Sequence, residues 1–156
     1  QEAGNSGLFE RCEGAQETHG NVVEFNLDGG LADLSAASAK LEAALEADPD
    51  IDAVFALNAD IAAKAALPAA DSVGRDIMIG TVDLSEDALN EIADGNIDFA
   101  IDQQQYAQGY LSVVLLYLNV TNSHELGGGL PMYTGPGFVT ADNVDAVLEL
   151  VSEGTR

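Results

Sequence analysis

Basic residues are scarce in this chain: Arg11, Lys40, Lys64, Arg75 and Arg156 stand against 27 acidic residues, a formal net charge of −22. A surface of that sign repels phosphate backbones and anionic lipid headgroups, which argues against nucleic-acid or membrane-surface binding. Cysteine is scarcer still. Cys12 alone forms neither an internal disulfide nor a multi-cysteine metal site, and its place in a helical pattern suits a small buried residue better than a reactive thiol. Long apolar runs are missing too, the longest candidate being 111–118, well short of the ~18–20 residues of a membrane span. The familiar catalytic signatures are absent: no P-loop, no G-x-S-x-G elbow, no H-E-x-x-H, with His19 and His124 in expected surface loops. "DPDID" (48–52) imitates the opening of a calcium loop, but Ala53 stands where the turn glycine belongs and Ala59 where the bidentate glutamate belongs. No metal, cofactor or catalytic residue is therefore expected.

What is present suits a folded α/β protein. The apolar share is 47%, with 16 glycines and 4 prolines, too apolar for a disordered acidic tail. A chain of 156 residues fits one domain or one large lobe and buries roughly two-thirds of the surface its unfolded form exposes. The acidic excess reads as a solvated coat suited to high salt, where screening relieves its self-repulsion, with a cation-collecting surface as the alternative. Gln1 is not an initiator Met, so the native N-terminus is expected upstream, and compartment is not legible from this end.

Hydrophobic periodicity alternates between helix and strand. Helices are predicted over 8–19, 31–47, 61–67 (ending near Pro68), 85–93 and 104–118, with a last one capped by Thr140 and carrying Val144, Val147, Leu148 and Val151. Ser85 is the expected N-cap of the fourth, with Gly95 just past its end. Strands are predicted over 22–25, 51–57, 77–82 and 97–101; "GGGLP" reads as a turn before an extended "PMYTGPGFVT". Single helices between short strands imply right-handed parallel βαβ units, so the expected fold is a doubly wound parallel sheet, Rossmann-like.

In such sheets ligands bind outside the carboxyl ends of the strands. The strand-exit residues are Asn26 and Asp28, Asn58 and Asp60, Asp83, then Asp102 and Gln103. Nearly all are amides or carboxylates. With one nearby arginine, that set suits a neutral polyhydroxyl ligand: carboxylates accept from hydroxyls, amides do both, and arginine donates in a fork. Tyr106 or Tyr110 could offer a stacking face. Asn119-Val120-Thr121 matches a glycosylation acceptor, a pattern short enough to arise by chance.

The order of "GNSGLFERCEG", "VFALNADIAAKAA", "IMIGTVDLSEDALNEIADGNIDFAIDQQQYAQGY" and "TGPGFVTADNVD" resembles the type I periplasmic binding proteins, specifically the sugar-binding components of ABC importers related to ribose-binding protein. The resemblance covers essentially the whole chain and implies a C-terminal half: 1–102 as the ligand-binding lobe lacking its first strand, 103–126 as a hinge crossing and a helix that packs on an N-terminal lobe, and 127–156 as the return crossing and final helix. It implies ligand contacts from Arg11, Asn58, Asp83 and Gln103, with Asn5 and Gln104 completing the set. The family's aromatic after the second strand falls near Ala32, so that stacking contact is not expected. The implied function is to bind a neutral sugar or polyol outside the cytoplasm and present it to an ABC permease. The helix 104–118 would then need a partner: the missing lobe or a second chain. Two other readings fit the fold: the effector-sensing core of a LacI-type transcription repressor, and a small α/β enzyme using Asp83 or Asp102.

Overall fold

The computed structural model describes every residue except Gln1, Ala3 and Asp28; the strand-exit expectation for Asp28 thus lies outside the described residues. Helix α1 spans Ser6–His19 and α2 spans Leu34–Ala47, the latter following a short 3-10 turn (Gly30–Ala32). Strands β1 (Ala53–Ala56), β2 (Met78–Val82) and β3 (Phe99–Asp102) pair in parallel in that order, and β4 (Gly137–Val139) closes the sheet antiparallel to β3. The expected α/β sheet with parallel strands at its heart is present, and its last strand runs the other way.

Between β1 and β2 the chain is helical from 59 to 73: α3 (Ala59–Ile61), a π-helical turn (Ala62–Ala66) and α4 (Leu67–Val73). Here the expectation of a helix ending near Pro68 is corrected. The Leu67 N–H reaches the Ala62 carbonyl five residues back, and this widened turn precedes Pro68 in the first turn of α4, where a missing N–H is tolerated. Gly74, at φ 64°, ends the helix with its N–H on Ala70 and Asp71. Helix α5 (Glu86–Ala93) starts as expected, the Ser85 hydroxyl accepting from Ala88 N–H, and Gly95 (φ 80°) follows it.

Two further expectations are corrected. Residues 22–25 belong to no strand, and Val23 is 86% exposed; a short apolar run becomes a strand only where a neighbouring edge is there to pair with it. Thr140 does not cap the last helix, α7 (Val144–Ser152), through its side chain. Asn143 stands at the N-cap, its carboxamide accepting from Thr140 N–H (3.0 Å) and donating to the Phe138 carbonyl (3.0 Å), which ties β4 to α7. Helix α6 (Gln105–Asn122) runs one turn longer than predicted.

Strand alternation decides the two sheet faces. Ala56, Ile79, Thr81, Ala100 and Val139 face the buried core, with Leu41 and Leu45 of α2 and Leu89 and Ile92 of α5. Full burial of each large aliphatic here contributes about 1.5–3 kcal/mol. The other face carries Phe55, Gly80, Phe99 and Phe138. Phe99 stacks on Phe55 (centroids 6.1 Å, 26°) and tilts against Phe138 (6.1 Å). Gly80 is required there: a Cβ at that position would lie 2.4 Å from Phe99 Cζ.

The loop that imitates a calcium site already holds a cation. The Arg75 guanidinium donates to the carbonyls of Leu45 (2.9 Å), Pro49 (2.7 Å) and Ile51, closing the C-terminal end of α2 against the start of β1. Removing it would orphan carbonyls that water reaches only in part, so Arg75→Ala is expected to destabilise the fold by about 2–4 kcal/mol, read as a lowered urea midpoint at unchanged m-value.

Candidate functional site

The exits of β2 and β3 and the side of α1 bring together four side chains. Arg11, on α1, donates from Nη2 to Gln103 Oε1 (3.2 Å). Gln103, just past β3, donates its amide to Asp83 Oδ1. Gln105, in the first turn of α6, donates to the same oxygen (2.7 Å). Gln103 is held from behind, its carbonyl accepting from Thr134 Oγ1 (2.9 Å) and Gln108 Nε2 (2.8 Å). Each amide is thereby oriented: Gln103 turns its oxygen to Arg11 and its nitrogen to Asp83.

Backbone geometry aims Asp83. It sits at φ 72°, in the left-handed region a non-glycine residue seldom occupies, with its N–H on the Ile101 carbonyl (2.9 Å). Its Oδ1 is taken by the two glutamines, and Oδ2 accepts from no described residue. Gln104 is likewise left-handed (φ 57°) and turns the chain from β3 into α6. The result is an anionic acceptor and a cationic donor joined by amides, groups whose chemistry suits charge-assisted hydrogen bonds to hydroxyls.

The other expected site residues are placed differently. Asn58 caps α3, its Oδ1 accepting from Asp60 and Ile61 N–H, so only its Nδ2 remains to donate at the exit of β1. Asn5 is the exposed N-cap of α1, bonded to Gly7, Leu8 and Glu2, apart from the Asp83 network. Gln104 enters through its backbone N–H, which donates to Asp102 Oδ1 (2.7 Å). Asp102 is fully buried, one oxygen accepting from the Gln104 N–H and the other from Arg156, so its side chain is not exposed at the site. Gln105 was not expected: its local pattern is that of a helix residue, and the sole signal was its place in the first helical turn beside a strand exit.

An open cleft of about 890 Å³ lies beside this network and shares Arg11 and Gln103 with it; Phe55, Val82 and Ile101 form its floor, and Leu111 and Leu115 of α6 one wall. The chemistry centres on Asp83, outside the lining of this cleft. Among the described residues no three His, Cys, Asp or Glu side chains are grouped to hold a metal ion. Next to Arg11, burial foremost and the Glu24 charge second push the Cys12 thiol above its ordinary pKa. Since the thiolate is the nucleophile, iodoacetamide at pH 8 should modify Cys12 more slowly in the folded protein than in urea; equal rates would contradict this.

A family model described as periplasmic binding protein domain matches residues 1–123. The chain belongs to that family. The xylose/arabinose-binding protein XylF of Sulfolobus acidocaldarius is 27% identical to this periplasmic binding protein over 152 residues, which are 93% of this chain and 37% of XylF. Among solved structures, a carbohydrate transporter from Acidothermus cellulolyticus 11B in complex with myo-inositol superposes with a TM-score of 0.87 at 38% identity, covering all of this chain and 54% of that one. AraP, an arabinose-binding protein from Geobacillus stearothermophilus, gives 0.61 at 27% identity, covering 75% of this chain and 42% of its own. This periplasmic binding protein chain thus spans about half or less of the length of these relatives. Each is named for binding or transporting a carbohydrate, and none for catalysis.

Proposed function

We propose that this chain is the C-terminal portion of a sugar-binding component of an ABC importer, holding a neutral sugar or polyol between two lobes without chemical change. The observation that carries the reading is the Arg11–Gln103–Asp83 chain of hydrogen bonds at the strand exits, extended by Gln105. Arg11 and Asp83 are assigned as donor and acceptor to ligand hydroxyls, Gln103 as the amide between them, and Asn58 as a further donor. Asn5 and Gln104 are assigned to shaping the site's edge.

The reading implies an extracytoplasmic protein that delivers its ligand to a membrane permease. Residues 103–126 and 127–156 serve as the two crossings with their helices. The apolar stripe of α6 supports this: Val113, Leu116, Tyr117 and Val120 are all more than 60% exposed, and an N-terminal lobe is assigned to cover them. Closure of two lobes shares the ligand between them, so either one alone holds few of the contacts and retains little affinity.

The test is calorimetry on the full-length protein with myo-inositol, L-arabinose and D-xylose. Saturable binding of one of them, weakened by about 100-fold or more in the isolated 156-residue chain, is the expected result. Equally tight binding by the isolated chain would overturn the two-lobe reading, and turnover of a bound sugar would overturn the non-catalytic one.

A further inference from the structure

Among the described residues, the one carboxylate that is fully buried is not used by the site described above. Asp102, the last residue of β3, is 0% exposed, and each of its oxygens has one partner. Oδ1 accepts from the backbone N–H of Gln104 (2.7 Å), and Oδ2 from Nε of Arg156 (2.7 Å), 54 residues away. Arg156 arrives by a defined turn: Gly154, at φ 71°, reverses the chain after α7, and Thr155 N–H bonds back to the Leu150 carbonyl. The two crossings meet at this point. Asp102 pairs with Gly137 across β3 and β4, and Thr134 bonds the Gln103 carbonyl. Gln103, the hub of the Arg11–Asp83 network, lies in the chain between Asp102 and Gln104.

We propose that Arg156 is a positioning residue that acts through Asp102: it neutralises the buried carboxylate and so holds the Gln103–Gln104 crossing in the geometry that presents Gln103 to the ligand. A buried carboxylate without a counter-charge is unstable where it lies and turns toward water. Without Arg156, Asp102 would swing out and release the Gln104 N–H. The left-handed turn at Gln104 would then lose the bond that fixes it. The effect on the crossing stands on geometry alone; the effect on binding rests on the function proposed above.

Hydrogen exchange on the ligand-free full-length protein tests the crossing, and calorimetry with myo-inositol, L-arabinose and D-xylose tests binding. In Arg156→Gln, amides of 101–105 and 134–137 should exchange at least about 10-fold faster while 77–82, in the sheet core, is unchanged. Arg156→Lys, which keeps the charge, should restore most of the protection. Unchanged exchange at 101–105, an equal speed-up at 77–82, or a lysine variant as loose as the glutamine one would each overturn the proposal. If the parent binds none of the three sugars, the proposed ligand class fails, and the exchange result still decides the role of Arg156. If it binds one, Arg156→Gln should weaken that affinity about 10-fold, and an unchanged affinity with a loosened crossing would overturn the link to Gln103.

Discussion

Raising the salt concentration from about 0.1 M to 1 M should raise the melting temperature by at least about 10 °C, the screening length falling from about 10 Å to 3 Å. The expectation comes from the charge of −22 on 156 residues. Spread over a folded domain, that charge repels itself far more than over the expanded unfolded chain. With the size relations for folded and unfolded chains and Coulomb's law in water, the difference shrinks across this salt range by on the order of 5–10 kcal/mol. Local pairing does little to offset it. Lys64 bridges Asp87 (2.8 Å) and Asp60 (2.9 Å), and the hydrogen bonds it donates to these two carboxylates raise its pKa, but the side chain is 44% exposed and such pairs add little. Calorimetric scans in potassium chloride and in sucrose separate screening from preferential exclusion. A melting temperature insensitive to the salt would show that the acidic coat carries no net repulsive cost.

The segments that could be read in the sequence are those with local punctuation. Residues 77–102 alternate correctly because Ser85 and Gly95 bound α5 with a hydroxyl cap and a positive φ, both local rules. Residues 22–25 have the pattern of a strand and form none, because an apolar run says nothing about whether an edge lies beside it. The helix past Pro68 has no local signal, because the π turn that accommodates the proline is set by packing of small alanines on α2 and the sheet. The site shows the same division. Asn58, Asp83 and Gln103 stand out as strand exits and Arg11 by family resemblance, and hydrogen bonds join Arg11, Gln103 and Asp83. Gln105 reaches Asp83 across 22 residues and Arg156 reaches Asp102 across 54, contacts with no local signature. Asn58 and Asn5 show the reverse: the side chains that mark a helix start also resemble a ligand site, and only the geometry tells how far capping has used them.

Replacing Asp83 by glycine should separate binding from folding. Its φ of 72° costs a non-glycine residue about 1–2 kcal/mol, a strain that glycine lacks. Against that gain stands the loss of Oδ1 as acceptor for Gln103 and Gln105, half-exposed amides that water can satisfy at a similar cost. The melting temperature should therefore stay within about 3 °C of the parent. Affinity for whichever sugar or polyol the full-length protein binds should fall by 100-fold or more, because a carboxylate–hydroxyl bond contributes about 1.5–3 kcal/mol and the glutamines would lose their orientation as well. Asp83→Asn, which tolerates the same backbone and keeps an acceptor oxygen, should fall between the two. A glycine variant that binds within about threefold of the parent would remove Asp83 from the site, and would leave Arg11 and Gln103 as neighbours of a ligand they do not hold through it.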